Sequence, residues 1–275
     1  MIDRLKRLSN RPELIWLARA FGLREFLRRC YFRWARPVDG ILQLELAGMK
    51  AQFYVRTPEE LRMLGKVETR DWEQEVIEFL TCKVLTGDVA YDIGSNIGLY
   101  AVLLSRAVGD HGQVIAYEPA RQSYESLRDN LALNSVTNVR AFRVALGDHS
   151  GEEKLYFSDA DLLFSSLTRP RSPTMTHQIV PVVKGDTFRE AENLPIPRVV
   201  KIDVEGYECA VIQGLRRTLS DPACQFVACE VHPTLLPDGV SPEQVHVSLK
   251  SLGFSHLDIC RCHVIADYHV LASKG

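Results

Sequence analysis

From residue 87 onward the chain alternates short apolar strands with helical segments, and this alternation constrains the fold more than any other feature. The strand sequences are VAYDIG, QVIAYEP, RVVKIDVEG and QFVACEVHP, and a helical sequence follows each one. Strands that alternate with helices build a parallel sheet that helices cover on both faces. The ligands of such sheets bind beyond the carboxyl ends of the strands, where the strand order reverses.

The length and composition of the chain fit one sizeable domain with an extra element at its N-terminus. Of the 275 residues, 46% are hydrophobic and 25% are charged, which is ordinary for a globular protein. We predict basic amphipathic helices over 1–40 and a single α/β domain over 41–275. Because the net charge is only −2, no global field favours nucleic acid, and we expect no nucleic-acid partner.

The N-terminal segment carries an apolar stripe with arginines beside it. Apolar residues recur at helical spacing from Leu23 to Trp34, and residues 1–40 contain ten Lys or Arg but four Asp or Glu. Two readings of 1–37 stay open: packing against the main domain or a second subunit in a homodimer, and contact with an anionic membrane surface. Neither a signal peptide nor a membrane-spanning apolar run is recognisable, so we predict a cytoplasmic protein, peripheral to the membrane in the second reading.

The turn after the first of these strands indicates which cofactor the sheet binds. Gly94 and Gly98 are spaced G-x-x-x-G, and Asn96 stands where a dinucleotide-binding turn needs its middle glycine. Asp92 ends the strand, and its carboxylate would repel a pyrophosphate but attract a cationic group. This favours S-adenosylmethionine, which carries an amino group and a sulfonium. The backbone N–H groups of the turn and the N-terminus of the next helix could receive its carboxylate.

A second acid follows at the end of the next strand. Glu118 comes 20 residues after Gly98, where a carboxylate can accept hydrogen bonds from both hydroxyls of a ribose. Nicotinamide cofactors use an acid at the same place, so Glu118 alone does not discriminate between cofactors. Together with the glycine turn it supports the prediction of S-adenosylmethionine.

Four segments of the chain resemble one known family. The segments YDIGSNIGLYAVLLSR, VIAYEP, VALGDHSGEEKLY and VVKIDVEGYECAVIQGL occur in the order found in FkbM-type S-adenosylmethionine-dependent methyltransferases, over about residues 70–235. The resemblance implies the class I methyltransferase fold, a Rossmann-like, seven-stranded and mostly parallel sheet with helices on both faces and an antiparallel last strand. It also implies O-methylation, usually of a sugar or polyketide hydroxyl.

The resemblance further implies roles for individual residues. The cofactor-binding set that it implies is Asp92, Gly94, Ser95, Asn96 and Gly98 at the methionine side, Glu118 and Pro119 at the ribose, and Ala145 and Leu146 beside the adenine. Asp203 and Glu205 would face the reacting methyl group, and Asp203 is counted with the cofactor-binding residues as well. Glu75 matches an acid that the family often carries before the first strand.

The segment VVKIDVEG offers groups that could take the proton from an acceptor hydroxyl, which is a poor nucleophile until it loses that proton. Side chains two apart on a strand share a face, so Lys201, Asp203 and Glu205 should project together as catalytic residues. The alternative is a Lys201–Asp203 ion pair that only stabilises the strand end. His232, just after the neighbouring strand, is the histidine that we nominate as a base. A divalent metal held by Asp203, Glu205 and Glu230 is conceivable, but the sequence alone assigns none.

The acceptor is the least determined part of the function. The polar stretch 158–178 is either a substrate-facing insertion or a surface loop. The leading hypothesis is methylation of a hydroxyl on a sugar or glycan, lipid-linked or at the cell surface. The alternatives are a polyketide or another small secondary metabolite as acceptor, and a non-catalytic cofactor-binding protein that serves assembly.

Overall fold

The computed structural model describes residues 32–67, 71–158, 161–168, 176–261 and 266–275. The predicted N-terminal helices therefore lie almost entirely outside the described residues, and the two readings of that segment stay predictions. Among the described helices, none has the length and apolar character that crossing a lipid bilayer requires.

The described elements follow one another as the alternation predicts. Their bounds in chain order are β1 Ile41–Leu46, β2 Met49–Tyr54, α1 Pro58–Val67, α2 Asp71–Lys83, β3 Val89–Ile93, α3 Leu99–Val108, β4 Gln113–Tyr117, α4 Arg121–Leu133, β5 Val139–Phe142, β6 Ala145–Gly147, β7 Gly151–Ser158, β8 Asp161–Ser166, β9 Thr176–Lys184, α5 Gly185–Ala191, β10 Val199–Ile202, α6 Glu208–Gly214, α7 Arg216–Ser220, β11 Phe226–Val231, α8 Pro242–Ser251, β12 Phe254–Arg261 and β13 Tyr268–Lys274.

Seven of the strands form the main sheet, in the order β12-β13-β11-β10-β3-β4-β5. The five strands from β11 to β5 are parallel, whereas β13 runs antiparallel to both β11 and β12. The strand order reverses between β3 and β10, which places the crevice for a ligand there. The predicted class I methyltransferase fold, with its antiparallel last strand, is confirmed.

The central strands are apolar on both faces because both faces are covered. Along β3, Ala90 and Asp92 point to the layer that contains α2 and α3, whereas Tyr91 and Ile93 point to the layer that contains α6 and α8. Two hydrophobic clusters result, one on each side of the sheet. Asp92 is the exception in this pattern, since it is a fully buried acid inside an apolar layer.

A second, four-stranded sheet interrupts the alternation, with the order β6-β9-β7-β8. It contains residues 158, 161–166 and 176–178 of the polar stretch 158–178, so the stretch begins and ends in strands. Residues 159–160 and 169–175 lie outside the described part, so the loop reading is not decided for them. Strand β8 ends next to the turn after β10, and this contact matters for the site.

Two asparagine side chains bind the N-terminal hairpin β1–β2 to the rest of the protein. Asn130 lies in α4, and Asn134 is the residue directly after that helix. Asn134 accepts a hydrogen bond from Gln52 N (2.9 Å) and donates one to Gln52 O (2.6 Å), as a neighbouring strand would. Asn130 accepts one from Tyr54 N (2.9 Å) and donates one to Ile97 O (2.8 Å). Asn130 thereby ties the hairpin to the turn that precedes α3.

Candidate functional site

The predicted site residues of β3 and β10 meet at the reversal of strand order. Asp92 and Lys201 are partners in the register of the two parallel strands, and Asp203 N donates a hydrogen bond to Ile93 O over 3.0 Å. The two chain segments that the sequence analysis emphasised are therefore neighbours at the carboxyl end of the sheet.

The glycine turn after β3 is shaped by the backbone of the β10 turn. Gly94 has φ +79°, and a Cβ added there would lie 1.8 Å from the carbonyl oxygen of Asp203. Gly98 has φ +90°, and a Cβ there would lie 2.6 Å from a methyl group of Leu127. Asn96 also has a positive φ, of 50°, which asparagine tolerates better than most residues. Only glycine fits at position 94 without moving the β10 turn.

Four backbone N–H groups of this turn already have partners inside the protein. Gly94 N and Ser95 N both donate to Tyr117 O (2.9 and 3.0 Å), Gly98 N donates to Ser95 O (2.8 Å), and Asn96 N donates to Glu118 Oε2 (2.8 Å). The prediction that the turn's N–H groups receive the cofactor carboxylate is wrong for these four. The N-terminus of α3 is the part of that prediction that stays open. Ser95 is buried, and its hydroxyl donates to Asp92 O over 2.7 Å.

Asp92 fits the cationic group that the sequence analysis assigned to it. Its side chain is fully buried, and neither carboxylate oxygen has a well-formed hydrogen bond to a described residue. Burial raises the pKa of Asp92 to about 6, although the ammonium of Lys201 opposes that shift. A buried carboxylate that lacks hydrogen bonds is costly, and an adjacent cationic ligand would offset that cost.

Glu118, directly after strand β4, binds the backbone of the same turn through its carboxylate. Its Oε2 accepts the hydrogen bond from Asn96 N, and its Oε1 accepts one from Ala120 N over 2.8 Å. Burial raises the pKa of Glu118 to about 7 despite these two hydrogen bonds. Each oxygen has a second lone pair, so the carboxylate can still accept from ribose hydroxyls. The prediction that it holds the ribose fits this geometry.

The other predicted cofactor residues lie beyond Glu118. Pro119 is half-buried directly after it. Ala145 and Leu146 are buried on β6, where they pair with Val182 and Val183 of β9. Their assignment to the adenine stays a prediction.

Lys201 is a buried cation that organises several groups. Its Nζ donates to Asp203 Oδ2 over 3.0 Å and lies 4.5 Å from the centre of the Tyr100 ring. Burial alone would lower the pKa of Lys201, but the carboxylates of Asp203, Asp92 and Glu230 raise it. The Lys201–Asp203 ion pair, which was predicted as the alternative to a catalytic role, is present in the structure. Since it engages only one carboxylate oxygen of Asp203, it does not exclude a catalytic role for that residue.

His232 is the centre of a dense group of carboxylates. Its Nδ1 donates to Glu208 Oε1 over 2.7 Å. Its Nε2 faces Glu205 Oε2 at 3.4 Å, Glu230 Oε1 at 3.7 Å and Asp203 Oδ1 at 3.8 Å. We call these five residues the acidic corner. Although burial alone would lower the pKa of His232, Glu205 and the hydrogen bond to Glu208 raise it well above the usual value.

Glu230 connects the acidic corner to the last strand. Its Oε2 lies 3.3 Å from Nε2 of His269, which is buried on β13. Burial opposes ionisation of Glu230, but the positive charges of His269, His232 and Lys201 lower its pKa. Burial likewise opposes protonation of His269, and the carboxylate of Glu230 raises its pKa. Both shifts favour the charged forms of the pair.

The turn after β10 holds its carboxylates in a strained backbone. Glu205 has φ +52° and Gly206 φ +101°, and a Cβ at Gly206 would lie 2.4 Å from Leu235 O. Ser166, at the end of β8, donates to Glu205 O over 2.7 Å, and Gly206 N donates to Glu208 Oε1 over 2.9 Å. The second sheet thus helps to position Glu205. Unfavourable backbone conformations of this kind concentrate at functional sites.

The acid on α2 that faces the site is Glu73 rather than Glu75. Glu73 is buried and its Oε1 accepts from the Tyr100 hydroxyl over 2.6 Å, beside Lys201. Burial raises its pKa, and the charge of Glu230 adds to the shift. Glu75 is exposed, and its carboxylate accepts from the Cys260 thiol over 3.0 Å. Residues two positions apart on a helix point in directions that differ by about 200° around the helix axis. This explains why Glu73 faces the sheet and Glu75 does not.

The structure thus brings together Asp92, Gly94, Lys201, Asp203, Glu205 and His232, which the sequence analysis singled out. It adds Glu73, Tyr100, Glu208 and His269, which were missed. A sequence signal existed for Glu208, since it lies three residues after Glu205 in the turn that leads into a helix. His269 sits in an apolar run of the last strand, and nothing in its sequence neighbours connects it to Glu230.

The chain matches one protein family over most of this architecture. The family model described as the methyltransferase FkbM domain matches residues 92–255, which is more than half of the chain. The match begins at Asp92 in β3 and extends past the acidic corner to α8 and β12.

Two curated relatives carry names that fit this match. The hexuronic acid methyltransferase AglP of Haloferax volcanii is 30% identical over 208 residues, which are 73% of this chain and 76% of that protein. The methyltransferase sdnD of Sordaria araneosa is 28% identical over 192 residues, covering 59% of this chain and 72% of that protein. Among solved structures, a SAM-dependent O-methyltransferase of Thermotoga maritima aligns with a TM-score of 0.46 at 14% identity, over 85% of this chain and 77% of that chain.

Proposed function

Because the chain belongs to the FkbM methyltransferase family and is an S-adenosylmethionine-dependent methyltransferase, we propose that it methylates a hydroxyl of a sugar or glycan. The acidic corner, which lies directly beside the glycine turn, supports a hydroxyl as the acceptor, and the name of the relative AglP supports a sugar. A hydroxyl must lose its proton as it attacks, and carboxylates at that place can accept it.

The reaction is a displacement at the methyl carbon. S-adenosylmethionine supplies the methyl group on a sulfonium, from which a neutral thioether leaves. The acceptor oxygen forms the new bond to carbon while the bond from carbon to sulfur breaks. In our proposal the acceptor hydroxyl lies at Asp203 and Glu205, and one of these carboxylates takes its proton. The backbone contact between Asp203 and the Gly94 turn keeps this carboxylate close to the cofactor side.

His232 is better suited to hold a positive charge than to act as the base. Glu205 and Glu208 raise its pKa, which favours the imidazolium form, and an imidazolium has no nitrogen lone pair that could accept a proton. Its Nε2 instead points into the group formed by Asp203, Glu205 and Glu230. We therefore assign His232 the role of holding the acceptor oxygen or the carboxylates in place, and the prediction that it is the base stays untested.

The charge of the site favours an uncharged acceptor oxygen. The name of AglP refers to a hexuronic acid, which carries hydroxyl groups and a carboxylate, so either oxygen is conceivable as a methyl acceptor. A carboxylate acceptor would have to approach Asp203, Glu205 and Glu230 against their like charges. A hydroxyl meets no such repulsion, so we propose an ether rather than a methyl ester as the product.

A radiolabel experiment tests both parts of this proposal. The full chain is incubated with tritiated S-adenosylmethionine and three acceptor classes: glycosides that contain hexuronic acid, neutral glycosides, and alcohols of the polyketide type. We expect label transfer to a glycoside and a labelled product that survives alkali, because ethers resist hydrolysis that cleaves methyl esters. Transfer only to the polyketide alcohol, or label that alkali releases as methanol, would contradict the proposal.

The partner of residues 1–37 is a separate part of the proposal. The basic apolar stripe supports contact with an anionic membrane surface, which would suit a lipid-linked glycan. Sedimentation with anionic vesicles, comparing the full chain with a chain that lacks 1–37, measures this contact. If both sediment equally little and the full chain alone is dimeric, the segment serves subunit packing instead.

A further inference from the structure

We propose that Asp203, Glu205 and His232 form a binding site for one divalent transition cation, with two carboxylate oxygens and one imidazole nitrogen as ligands. This inference concerns cation binding, so it stands independently of which acceptor the enzyme uses. It goes beyond methyl transfer, because S-adenosylmethionine chemistry does not itself require a metal.

The distances in the acidic corner match those between ligands of a common ion. One ligand atom from each of the three residues lies within 4.8 Å of the others. Nε2 of His232 is 3.4 Å from Glu205 Oε2 and 3.8 Å from Asp203 Oδ1. Ligands about 2.2 Å from an octahedral ion are separated by about 3.1 Å when adjacent and about 4.4 Å when opposite. Movements of a few tenths of an ångström would therefore bring all three atoms to ligand distance.

The histidine is held as metal-binding histidines are held. Its Nδ1 donates to the carboxylate of Glu208, which leaves Nε2 directed at Asp203 and Glu205. A carboxylate that accepts from the second ring nitrogen fixes the orientation of the ring and makes Nε2 a stronger ligand. Both His232 and Glu208 are buried, and Oε2 of Glu208 has no hydrogen bond to any described residue. This buried dyad is the observation that distinguishes the site from a surface cluster of acids.

The arrangement of the carboxylates favours a cation between them. Glu205, Glu230 and Asp203 all direct a carboxylate oxygen at Nε2 of His232, at 3.4, 3.7 and 3.8 Å. Carboxylates that approach one another in a partly buried site repel each other, and a bound cation offsets that repulsion.

The donor types narrow the identity of the ion. Carboxylate oxygens suit Mg²⁺, Ca²⁺ and Mn²⁺, whereas an imidazole nitrogen suits transition metals. Mn²⁺ accepts both, and three protein ligands leave positions open for the acceptor oxygen. A coordinated hydroxyl loses its proton more readily, so a bound ion would activate the acceptor without requiring a free carboxylate oxygen on Asp203. Glu230 and Asp267 could form a second grouping around His232, but Glu230 is already paired with His269.

Mn²⁺ binding can be measured directly with the full chain. The electron paramagnetic resonance signal of hydrated Mn²⁺ falls when the ion binds, which gives the affinity and the number of sites. We expect one site per chain in the wild type and no detectable site in His232→Ala. Glu208→Gln keeps all three ligands but loses the orienting carboxylate, so we expect affinity to fall by about 10- to 100-fold.

His149→Ala is the matched control. His149 also lies between two carboxylates, with Nδ1 2.9 Å from Asp148 and Nε2 3.3 Å from Glu153, but all three side chains are about half exposed. It should bind Mn²⁺ like the wild type. Should His232→Ala fail to fold in a thermal melt, Glu205→Gln replaces it as the ligand variant. The proposal is overturned if the wild type binds no Mn²⁺, or if binding is the same in the folded ligand variant.

Discussion

The glycine turn after β3 and the acidic corner after β10 adjoin each other, yet they are built in different ways. The turn is a contiguous segment, 92–98, whose conformation depends on two glycines with positive φ. The acidic corner combines residues from the turn after β10, the end of β11 and the first residue of α6. It contacts β13 through His269 and the second sheet through Ser166. In our proposal the first region binds the cofactor and the second binds the acceptor. If so, substitutions in one region should leave the function of the other nearly intact.

The largest effect should come from removing a carboxylate of the corner without changing its shape. We expect Asp203→Asn to lower the rate of methyl transfer by about 100- to 10,000-fold, because Asp203 is one of the two carboxylates that we propose as the proton acceptor and lies next to the turn. The measurement is single-turnover transfer of labelled methyl to the acceptor found in the radiolabel screen. Asp148→Asn, which changes an exposed carboxylate elsewhere, serves as the control. Equal rates in both variants would remove Asp203 from the mechanism.

A slightly smaller effect should follow from closing the space at the glycine turn. Gly94→Ala places a methyl group 1.8 Å from the backbone oxygen of Asp203, so the turn must shift, and we expect a loss of about 2–4 kcal/mol in the free energy of unfolding. Gly87→Ala is matched in backbone conformation, with φ +93°, but its Cβ meets nothing within 4 Å. We expect Gly87→Ala to lower the free energy of unfolding by only about 1–2 kcal/mol. If chemical denaturation gives the same loss for both, the close contact between the two regions is not real.

The pH dependence of the free energy of unfolding should reveal the protonation of Glu118 and Asp92, the two buried acids beside the glycine turn. Burial raises the pKa of Glu118 to about 7, so the native state keeps a proton that the unfolded chain has lost above about pH 4.5. The stabilising contribution is therefore complete below that pH and is lost as the pH rises through about 7, by on the order of 3–4 kcal/mol. Asp92, with a pKa of about 6, acts in the same direction.

The Glu118→Gln variant isolates this contribution. Its free energy of unfolding, measured by urea denaturation without cofactor from about pH 5 to 8, should fall less steeply with pH than that of the wild type. A slope unchanged by the substitution would mean that Glu118 is ionised in the native state throughout this range.

The smallest effect should come from the contact between the second sheet and the acidic corner. Ser166→Ala removes the hydrogen bond to Glu205 O, which we expect to cost about 1 kcal/mol of stability and to lower methyl transfer modestly. Asn134→Ala, which weakens the docking of the hairpin, should cost a similar amount without affecting methyl transfer. Full activity of Ser166→Ala would show that the position of Glu205 does not depend on its hydrogen bond to the second sheet.

The same comparison explains which features the sequence could predict. The alternation of strands and helices and the turn that contains Gly94 follow from local patterns, whereas the antiparallel last strand is implied only by the family resemblance. The structure confirms this fold. The acidic corner depends on strand register, which aligns Glu230 with His269 across β11 and β13. The packing of helix α2 against helix α3 decides that Glu73 rather than Glu75 contacts Tyr100. Such pairings join residues distant in the chain, so no local spacing encodes them.

Calorimetric titration with S-adenosylhomocysteine tests the separation of the two regions most directly. Glu118→Gln removes a carboxylate that we assign to the ribose, whereas His232→Ala removes the centre of the acidic corner. The account predicts about tenfold weaker binding in Glu118→Gln, the equivalent of one or two lost hydrogen bonds, and nearly unchanged binding in a folded His232→Ala that no longer transfers methyl groups. Unchanged binding in Glu118→Gln, or lost binding in His232→Ala, would contradict it.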